Sequence, residues 1–73
     1  MGMEYRKNLI KKVGDNFRML THREQRILSM RYGVGEEQKT VKQVAAVFGV
    51  TESTIYKHEG LAIRKLEKIA LAK

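Results

Sequence analysis

The stretch from position 41 to position 60, VKQVAAVFGVTESTIYKHEG, limits the possible folds of this chain more than any other feature. Gly49 separates two helical patterns, and only glycine takes up the left-handed turn conformation there without strain. Thr51 is placed to cap the second helix, and Ile55 to hold that helix against the first. This is the spacing of a helix-turn-helix, in which a supporting helix presents a second helix to the DNA major groove. The alternative is an ordinary helical corner in a small bundle.

Length and composition leave few other fold classes open. The 73 residues suffice for one domain with a small core, and they include no cysteine for disulfides or thiolate zinc sites. The lack of proline and the scarcity of strand-like alternation favour an all-α fold. No apolar run approaches the roughly 18 residues of a membrane span, and no signal peptide is evident. We therefore expect a cytoplasmic, nucleoid-associated protein with no membrane partner.

The charge of the chain points to a polyanionic partner. Lysine and arginine outnumber aspartate and glutamate by 15 to 8, which gives a formal net charge of +7. A solvated surface that keeps a small protein soluble would explain the charge equally well. Combined with the helix-turn-helix pattern, the charge favours nucleic acid. Glu36 and Glu37 stand together in a connector, away from the predicted groove-facing surface.

A periodic apolar stripe predicts the first helix. The stripe is interrupted by the polar stretch 14–16, so the helix should end near Val13, with Phe17 and Leu20 anchoring a loop against the core. Positions 1–3, Met-Gly-Met, resemble a cloning start and are expected to lie outside the fold as a disordered beginning.

Two capping boxes mark the starts of later helices. In THRE at 21–24 and in TVKQ at 40–43, a threonine hydroxyl can accept from the amide three residues on, while the Glu or Gln side chain returns to the threonine amide. Gly33 should end the helix that follows the first box. The last helix should run from about Glu52 towards Lys73.

The whole chain, 1–73, is therefore predicted to be one small all-α domain of four helices with a C-terminal helix-turn-helix at 41–60. The arginines expected on the outside of the second helix are Arg23, Arg26 and Arg31. The buried stripe predicted for the last helix is Ile55, Ala62, Ile63, Leu66 and Ile69. The residues on or near its opposite side are Ser53, Thr54, Tyr56, Lys57 and Gly60.

Three segments carry a family resemblance: LTHREQRILSMRYGVG at 20–35, TVKQVAAVFGV at 40–50 and HEGLAIRKL at 58–66. Together they resemble region four of bacterial sigma factors of the primary and sporulation type, the promoter-specificity subunits of RNA polymerase. The resemblance implies a domain fragment or a stand-alone sigma-like protein, monomeric, that binds double-stranded promoter DNA at the minus-35 element. It also implies docking to the beta flap of core RNA polymerase, and activators or anti-sigma proteins as further partners.

The resemblance also implies positions for DNA contact. Five residues at the start of the recognition helix match family contacts to bases and nearby phosphates, and Arg23 and Lys42 fall near backbone contacts. Thr54 stands among the base-reading positions. Gly60 either permits close approach to a phosphate or to the supporting helix, or is simply tolerated in the helix. The predicted DNA-binding set is Arg23, Lys42, Thr51, Glu52, Ser53, Thr54, Tyr56, Lys57 and Gly60.

The start of the recognition helix departs from the pattern of the primary factors. Glu52, Ser53, Thr54 and Tyr56 stand where arginines and a glutamate are common. Arginine pairs bidentately with guanine and glutamate accepts from cytosine, so we expect different preferred bases. Ser53 and Thr54 specify weakly, whereas Tyr56 could contact a thymine methyl or a phosphate. The consensus element of the primary factors is therefore not implied.

Two residues of the helix-turn-helix have a structural as well as a functional interpretation. Glu52 suits the positive end of the helix dipole but repels phosphate. His58 is expected to be half-buried with its ring against the supporting helix, and phosphate contact by its protonated form is the alternative.

Two groups of residues outside that segment, one basic and one of methionines, also have both a structural and a functional interpretation. Arg64, Lys65 and Lys68 extend the basic surface and are either solvated or bound to phosphate. Met19 and Met30 are expected in the core, or else lining a groove for the flap helix, since methionine suits adaptable surfaces.

The sequence contains no catalytic constellation: no nucleophile–base pair, no phosphate-binding glycine loop and no carboxylates clustered with a histidine. We expect no enzyme, no cofactor and no metal site. Two alternatives to a promoter-binding domain stay open. One is a protein-interaction module whose helix-turn-helix no longer reads DNA, and the other is an independent dimeric helix-turn-helix regulator.

Overall fold

The computed structural model describes residues 3–72, and they form four α-helices and one 3-10 helix. The α-helices are α1 (Met3–Val13), α2 (His22–Tyr32), α3 (Val41–Phe48) and α4 (Glu52–Leu71), and the 3-10 helix is Gly14–Met19. No strand occurs in this part of the chain, so the predicted all-α class is confirmed. Within the same residues no helix is both long and apolar enough to cross a membrane.

The first helix ends where the sequence predicts but begins earlier. Gly14 has a φ of +54°, and α1 ends at Val13 directly before it. Met3 is the first residue of α1 and packs, half-buried, against the core. Leaving Met3 outside the fold was therefore wrong, because its side chain reaches the amide of Gln38, 3.2 Å from its sulfur. Met1 and Gly2 lie outside the described residues.

The segment between α1 and α2 is a 3-10 helix rather than an irregular loop. Phe17 packs against the core and Leu20 is buried in it, as predicted for the two anchors. Met19, by contrast, is 69% exposed, so the core interpretation of this residue is wrong. Met30 is buried, as the core interpretation predicts.

Both capping boxes are formed. The Thr21 hydroxyl accepts from the Glu24 amide at 3.1 Å and the Glu24 carboxylate accepts from the Thr21 amide at 2.9 Å. Thr40 and Gln43 make the same pair of bonds at 3.1 and 2.8 Å. Such a cap is worth about 1 kcal/mol, so two short polar signals fix where α2 and α3 begin. Gly33, with a φ of +68°, ends α2 as predicted.

The core consists of two apolar clusters, and α4 contributes to both. Ile55 belongs to the cluster that joins α2, α3 and α4, whereas Ala62, Ile63 and Leu66 belong to the cluster that joins α1, α2 and α4. These four residues are buried as the stripe predicts. Ile69 is half-buried against the cluster that joins α1, α2 and α4. Because α4 runs through both clusters, its outer face is held in a fixed orientation.

A buried ion-pair network connects α4 to α1 and α2. The Glu59 side chain is only 2% exposed, and its carboxylate pairs with Arg6 at 2.6 Å and with Arg31 at 3.0 Å. The hydroxyl of Tyr32 also donates to this carboxylate. Burial and this hydrogen bond to Glu59 raise the pKa of Tyr32. The expectation that Arg31 lies outside was wrong, because its side chain is only 15% exposed and turns in towards Glu59.

We expect the substitution Glu59→Gln to lower the free energy of unfolding by about 3 kcal/mol, because it leaves Arg6 and Arg31 without their shared counter-charge. Urea unfolding followed by circular dichroism measures this loss. Glu67→Gln is the matched control on the same helix, since among residues 3–72 that carboxylate accepts one exposed hydrogen bond, from Tyr5. Equal losses in the two variants would contradict a structural role for the network.

Candidate nucleic-acid interface

The turn between α3 and α4 has the geometry of a helix-turn-helix. Gly49 ends α3 with a φ of +68°, in the left-handed region. The amide of Val50 donates back to the carbonyl of Ala45 at 3.1 Å, which closes the last turn of α3. Ala45 is buried where the two helices meet, and Ile55 holds α4 from the other side. The predicted supporting helix, glycine turn and second helix are therefore present.

Thr51 caps α4 as the sequence predicts. Its hydroxyl accepts from the amide of Thr54 at 3.2 Å, and the hydroxyls of the two threonines lie 3.0 Å apart. The Thr51 hydroxyl is thus committed to the helix start, and any contact with DNA would have to share it. Glu52 occupies the first turn of α4, where its charge suits the helix dipole.

Four of the predicted site residues share an exposed surface at the start of α4, here called the recognition face: Glu52, Ser53, Tyr56 and Lys57. Tyr56 is 58% exposed although it is aromatic, so its ring is available to a partner. Thr54 does not belong to this surface. It is half-buried on the flank of α4 nearer to α2 and lines a small hollow there.

His58 is another lining residue of that hollow. The hollow has a volume of only about 20 Å³, and Arg23, Phe48 and Ile55 also line it. His58 is half-buried against the supporting helix, which confirms the structural interpretation. Arg23 is exposed on the first turn of α2, at the rim of the same hollow.

The remaining two predicted residues lie apart from the recognition face in different ways. Lys42 is exposed on the first turn of α3. Gly60 is half-buried within α4, and a β-carbon built on it would meet no atom within 4 Å. The supporting helix therefore does not require a glycine at this position, so that explanation of Gly60 is wrong.

Exposed positive charge continues along α4, but one of the three expected residues, Lys65, is held in an ion pair. Lys57, Arg64 and Lys68 are exposed and recur at intervals of seven and four residues, which places them on one side of the helix. Lys65 instead binds the buried carboxylate of Glu24 at 2.9 Å. Burial alone would raise the pKa of Glu24, but the Thr21 amide and the Lys65 ammonium outweigh burial and lower it. Lys65 is therefore a structural residue.

Sequence reasoning missed a hollow beside the recognition face, in which the two cations, Arg31 and Lys39, each pair with a carboxylate. It has a volume of about 350 Å³, and Arg31, Lys39, Thr40 and Tyr56 are among its lining residues. Lys39 lies 3.4 Å from Glu36, and a guanidinium nitrogen of Arg31 lies 3.5 Å from the Lys39 carbonyl. Four separate positions of the chain form this hollow, so no local pattern could have predicted it.

Comparisons with known proteins agree with this geometry. The family model of sigma-70, region 4 matches residues 17–68. The chain is 42% identical over 50 residues to the RNA polymerase sigma-E factor of Clostridium acetobutylicum, covering 67% of this chain and 21% of that protein. It is also 42% identical over 48 residues to the RNA polymerase sigma factor SigA of a Bacillus species, covering 64% of this chain and 13% of that protein. The matched segment is therefore a small part of these relatives, and no solved structure matches.

Replacing Gly60 by alanine should stabilise the protein by about 1 kcal/mol, because alanine favours the interior of a helix and space for the methyl group is open. Urea unfolding measures this gain. Ala70→Gly, near the end of the same helix, is the reverse control and should lose stability. A destabilised Gly60→Ala variant would show that the glycine is needed by the fold.

Proposed function

This chain belongs to the sigma-70 region 4 family, and on that premise we propose that it binds duplex promoter DNA and associates with core RNA polymerase. In its finer form, the proposal is that α4 reads a minus-35-type element and that the domain docks on the beta flap. The observation that carries the DNA part is the exposed recognition face on a helix-turn-helix. The proposed role is non-catalytic, and it places the protein with the promoter DNA of the nucleoid.

The dimensions of α4 limit which residues can contact bases. The major groove is about 12 Å wide, and a helix rises about 1.5 Å per residue, so only the first turns of α4 fit inside it. Arg64 and Lys68 follow Lys57 by seven and eleven residues, which is about 10 and 16 Å along the helix axis. Base contact is therefore assigned to the recognition face, and the two later cations are left to backbone phosphates or solvent.

The chemistry of the recognition face favours phosphate contact over strict base discrimination. It contains no arginine or asparagine to form the strongest bidentate pairs with guanine or adenine. Glu52 can accept from the amino group of cytosine, and Ser53 can bond to more than one base. Tyr56 can pack on a thymine methyl or donate to a phosphate. Affinity should therefore come mainly from exposed cations such as Lys57, which makes no ion pair within residues 3–72.

Association with polymerase rests on the family rather than on one surface of this chain. Met30 is buried in the core, whereas Met19 is exposed and available to a partner. The beta flap is the proposed polymerase contact, and an activator or anti-sigma protein is the proposed regulatory partner. The net charge of +7 disfavours self-association, so the proposed state is a monomer.

One observation favours a second candidate function, a protein-interaction module without DNA readout. Glu52 is exposed at the end of α4 that would enter the groove, and it brings negative charge towards phosphates. Titrations against random duplex DNA and against a beta-flap peptide separate the two functions. Peptide binding with no detectable binding of DNA would support the interaction module and contradict the promoter proposal.

We expect Lys57→Ala to weaken binding to duplex DNA and to reduce the slope of log K against log salt by about 0.9, the loss of one phosphate contact. Fluorescence anisotropy at several salt concentrations measures both quantities. Lys12→Ala is the matched control, because it removes an exposed lysine from α1, far from the recognition face in the sequence. An unchanged binding curve for Lys57→Ala would remove this residue from the interface.

The substitution Tyr56→Ala should change which bases are preferred, because it removes the only aromatic side chain of the recognition face. Selection from random duplexes, followed by sequencing, compares the variant with the parent protein. Leu61→Ala serves as the control, since it removes another exposed apolar side chain of α4 outside the recognition face. If both variants select the same sequences as the parent, Tyr56 does not read bases.

A further inference from the structure

Arg26 of α2 is held in a defined position, although none of the expected DNA contacts includes it. Its guanidinium carbon lies 5.3 Å from the centre of the Phe48 ring, at the end of α3. Arg26 is exposed, and among the described residues it makes no ion pair. A guanidinium that stacks its flat face on a ring keeps its N–H groups free at the edge, where they can bind phosphate oxygens. The contact with Phe48 therefore orients the cation without using its hydrogen-bond donors.

The side of α2 that carries Arg26 is cationic. Arg23 stands three residues earlier on the same side of α2, at the rim of the small hollow beside the start of α4. The acidic residue of α2, Glu24, is buried and bound to Lys65, and α3 contains no acidic residue. Neither helix therefore offers a free carboxylate to the two arginines, and this side of the molecule fits a polyanionic partner.

The distance between Lys42 and Phe48 is comparable with the width of the DNA major groove. Lys42 is exposed on the first turn of α3, and Arg26 is held over Phe48, the last residue of the same helix. Phe48 follows Lys42 by six residues, which is about 9 Å along the helix axis, and the groove is about 12 Å wide. In a helix-turn-helix the supporting helix lies across the DNA, outside the groove that holds the second helix. The two cations at its ends then lie near opposite sugar–phosphate backbones.

We propose that Arg26 binds a backbone phosphate of the promoter duplex and that Phe48 is its positioning residue. This inference rests on the proposed function, because it requires that α4 enters the major groove. It adds a contact outside α4, and it places the phosphates bound by Arg26 and Lys42 on opposite strands. Such contacts fix the domain across the groove and carry no base preference. DNA is favoured over an acidic protein segment, because Arg26 adjoins the turn that leads into α4 and a duplex bound there brings its backbone within reach.

The substitution Arg26→Gln should weaken duplex binding about eightfold in about 0.1 M salt, because one phosphate contact contributes about 0.9 to the slope of log K against log salt. Fluorescence anisotropy over a range of salt concentrations measures the affinity and the slope. Arg18→Gln is the matched control, because it removes an exposed arginine from the 3-10 helix and should leave binding unchanged. If Arg26→Gln binds like the parent while Lys57→Ala binds more weakly, this inference is wrong and the promoter proposal stands. If the parent binds no duplex DNA, both are wrong.

A double-mutant cycle separates the positioning role of Phe48 from its contribution to the fold. Phe48→Leu keeps an apolar side chain against the core but removes the ring, and it should weaken duplex binding about threefold, the cost of ordering one free arginine side chain. In the Arg26→Gln background the same change should have no effect on binding. An equal loss in both backgrounds would mean that Phe48 acts only through the fold, which would overturn its positioning role.

Phosphate ethylation interference tests the placement of the two cations on opposite strands. On a duplex selected from random sequences, ethylation should interfere with binding of the parent protein on both strands. Arg26→Gln should lose this interference on one strand and Lys42→Gln on the other. Loss on the same strand in both variants would contradict the arrangement across the groove. Weaker binding of the beta-flap peptide by Arg26→Gln, with unchanged duplex binding, would assign the arginine to a protein partner and overturn the inference.

Discussion

The carboxylate of Glu59 is the contact on which the arrangement of helices depends. It is almost fully buried, and a lone charge in that position would be strongly unfavourable. Arg6 from α1 and Arg31 from α2 neutralise it, and Tyr32 adds a hydrogen bond. Because the three partners come from two other helices, the charge is compensated only when α1, α2 and α4 are packed together. The apolar clusters supply the favourable burial, and the ion pairs select one orientation of α4.

Because α4 is held in one position, this small domain presents a defined surface to a binding partner. Ile55 and Leu66 anchor the helix at two points in two different clusters, so the side of α4 opposite to them stays in solvent. The capping bonds of Thr51 define the residue at which the helix begins. The first exposed side chains therefore have set directions before any partner arrives. A partner then meets a prearranged surface and need not order it, which reduces the entropic cost of binding.

The features that could be predicted from sequence are those set by neighbouring residues. A capping box needs four consecutive positions, and the glycine turn at Gly49 needs a few more, so both were predictable. Helical periodicity likewise separated Ile55 from Lys57. The partners of Glu59 could not be predicted, because Arg6 stands 53 residues away and Arg31 stands 28 away. A periodic pattern marks a position as inward-facing but does not say which distant charge will meet it.

The position of α1 has a consequence for the order of folding. The family match begins at residue 17, so α1 lies before it, yet α1 packs on α4 at the other end of the chain. The turn between α3 and α4 closes a loop of a few residues, whereas the contact of α1 with α2, from Arg6 to Tyr32, closes one of 26 and its contacts with α4 close ones of more than fifty. Loop-closure entropy therefore favours early assembly of the C-terminal half, with the N-terminal helix joining it last. For a helical protein of this size, such a late, non-local step should slow the overall folding rate.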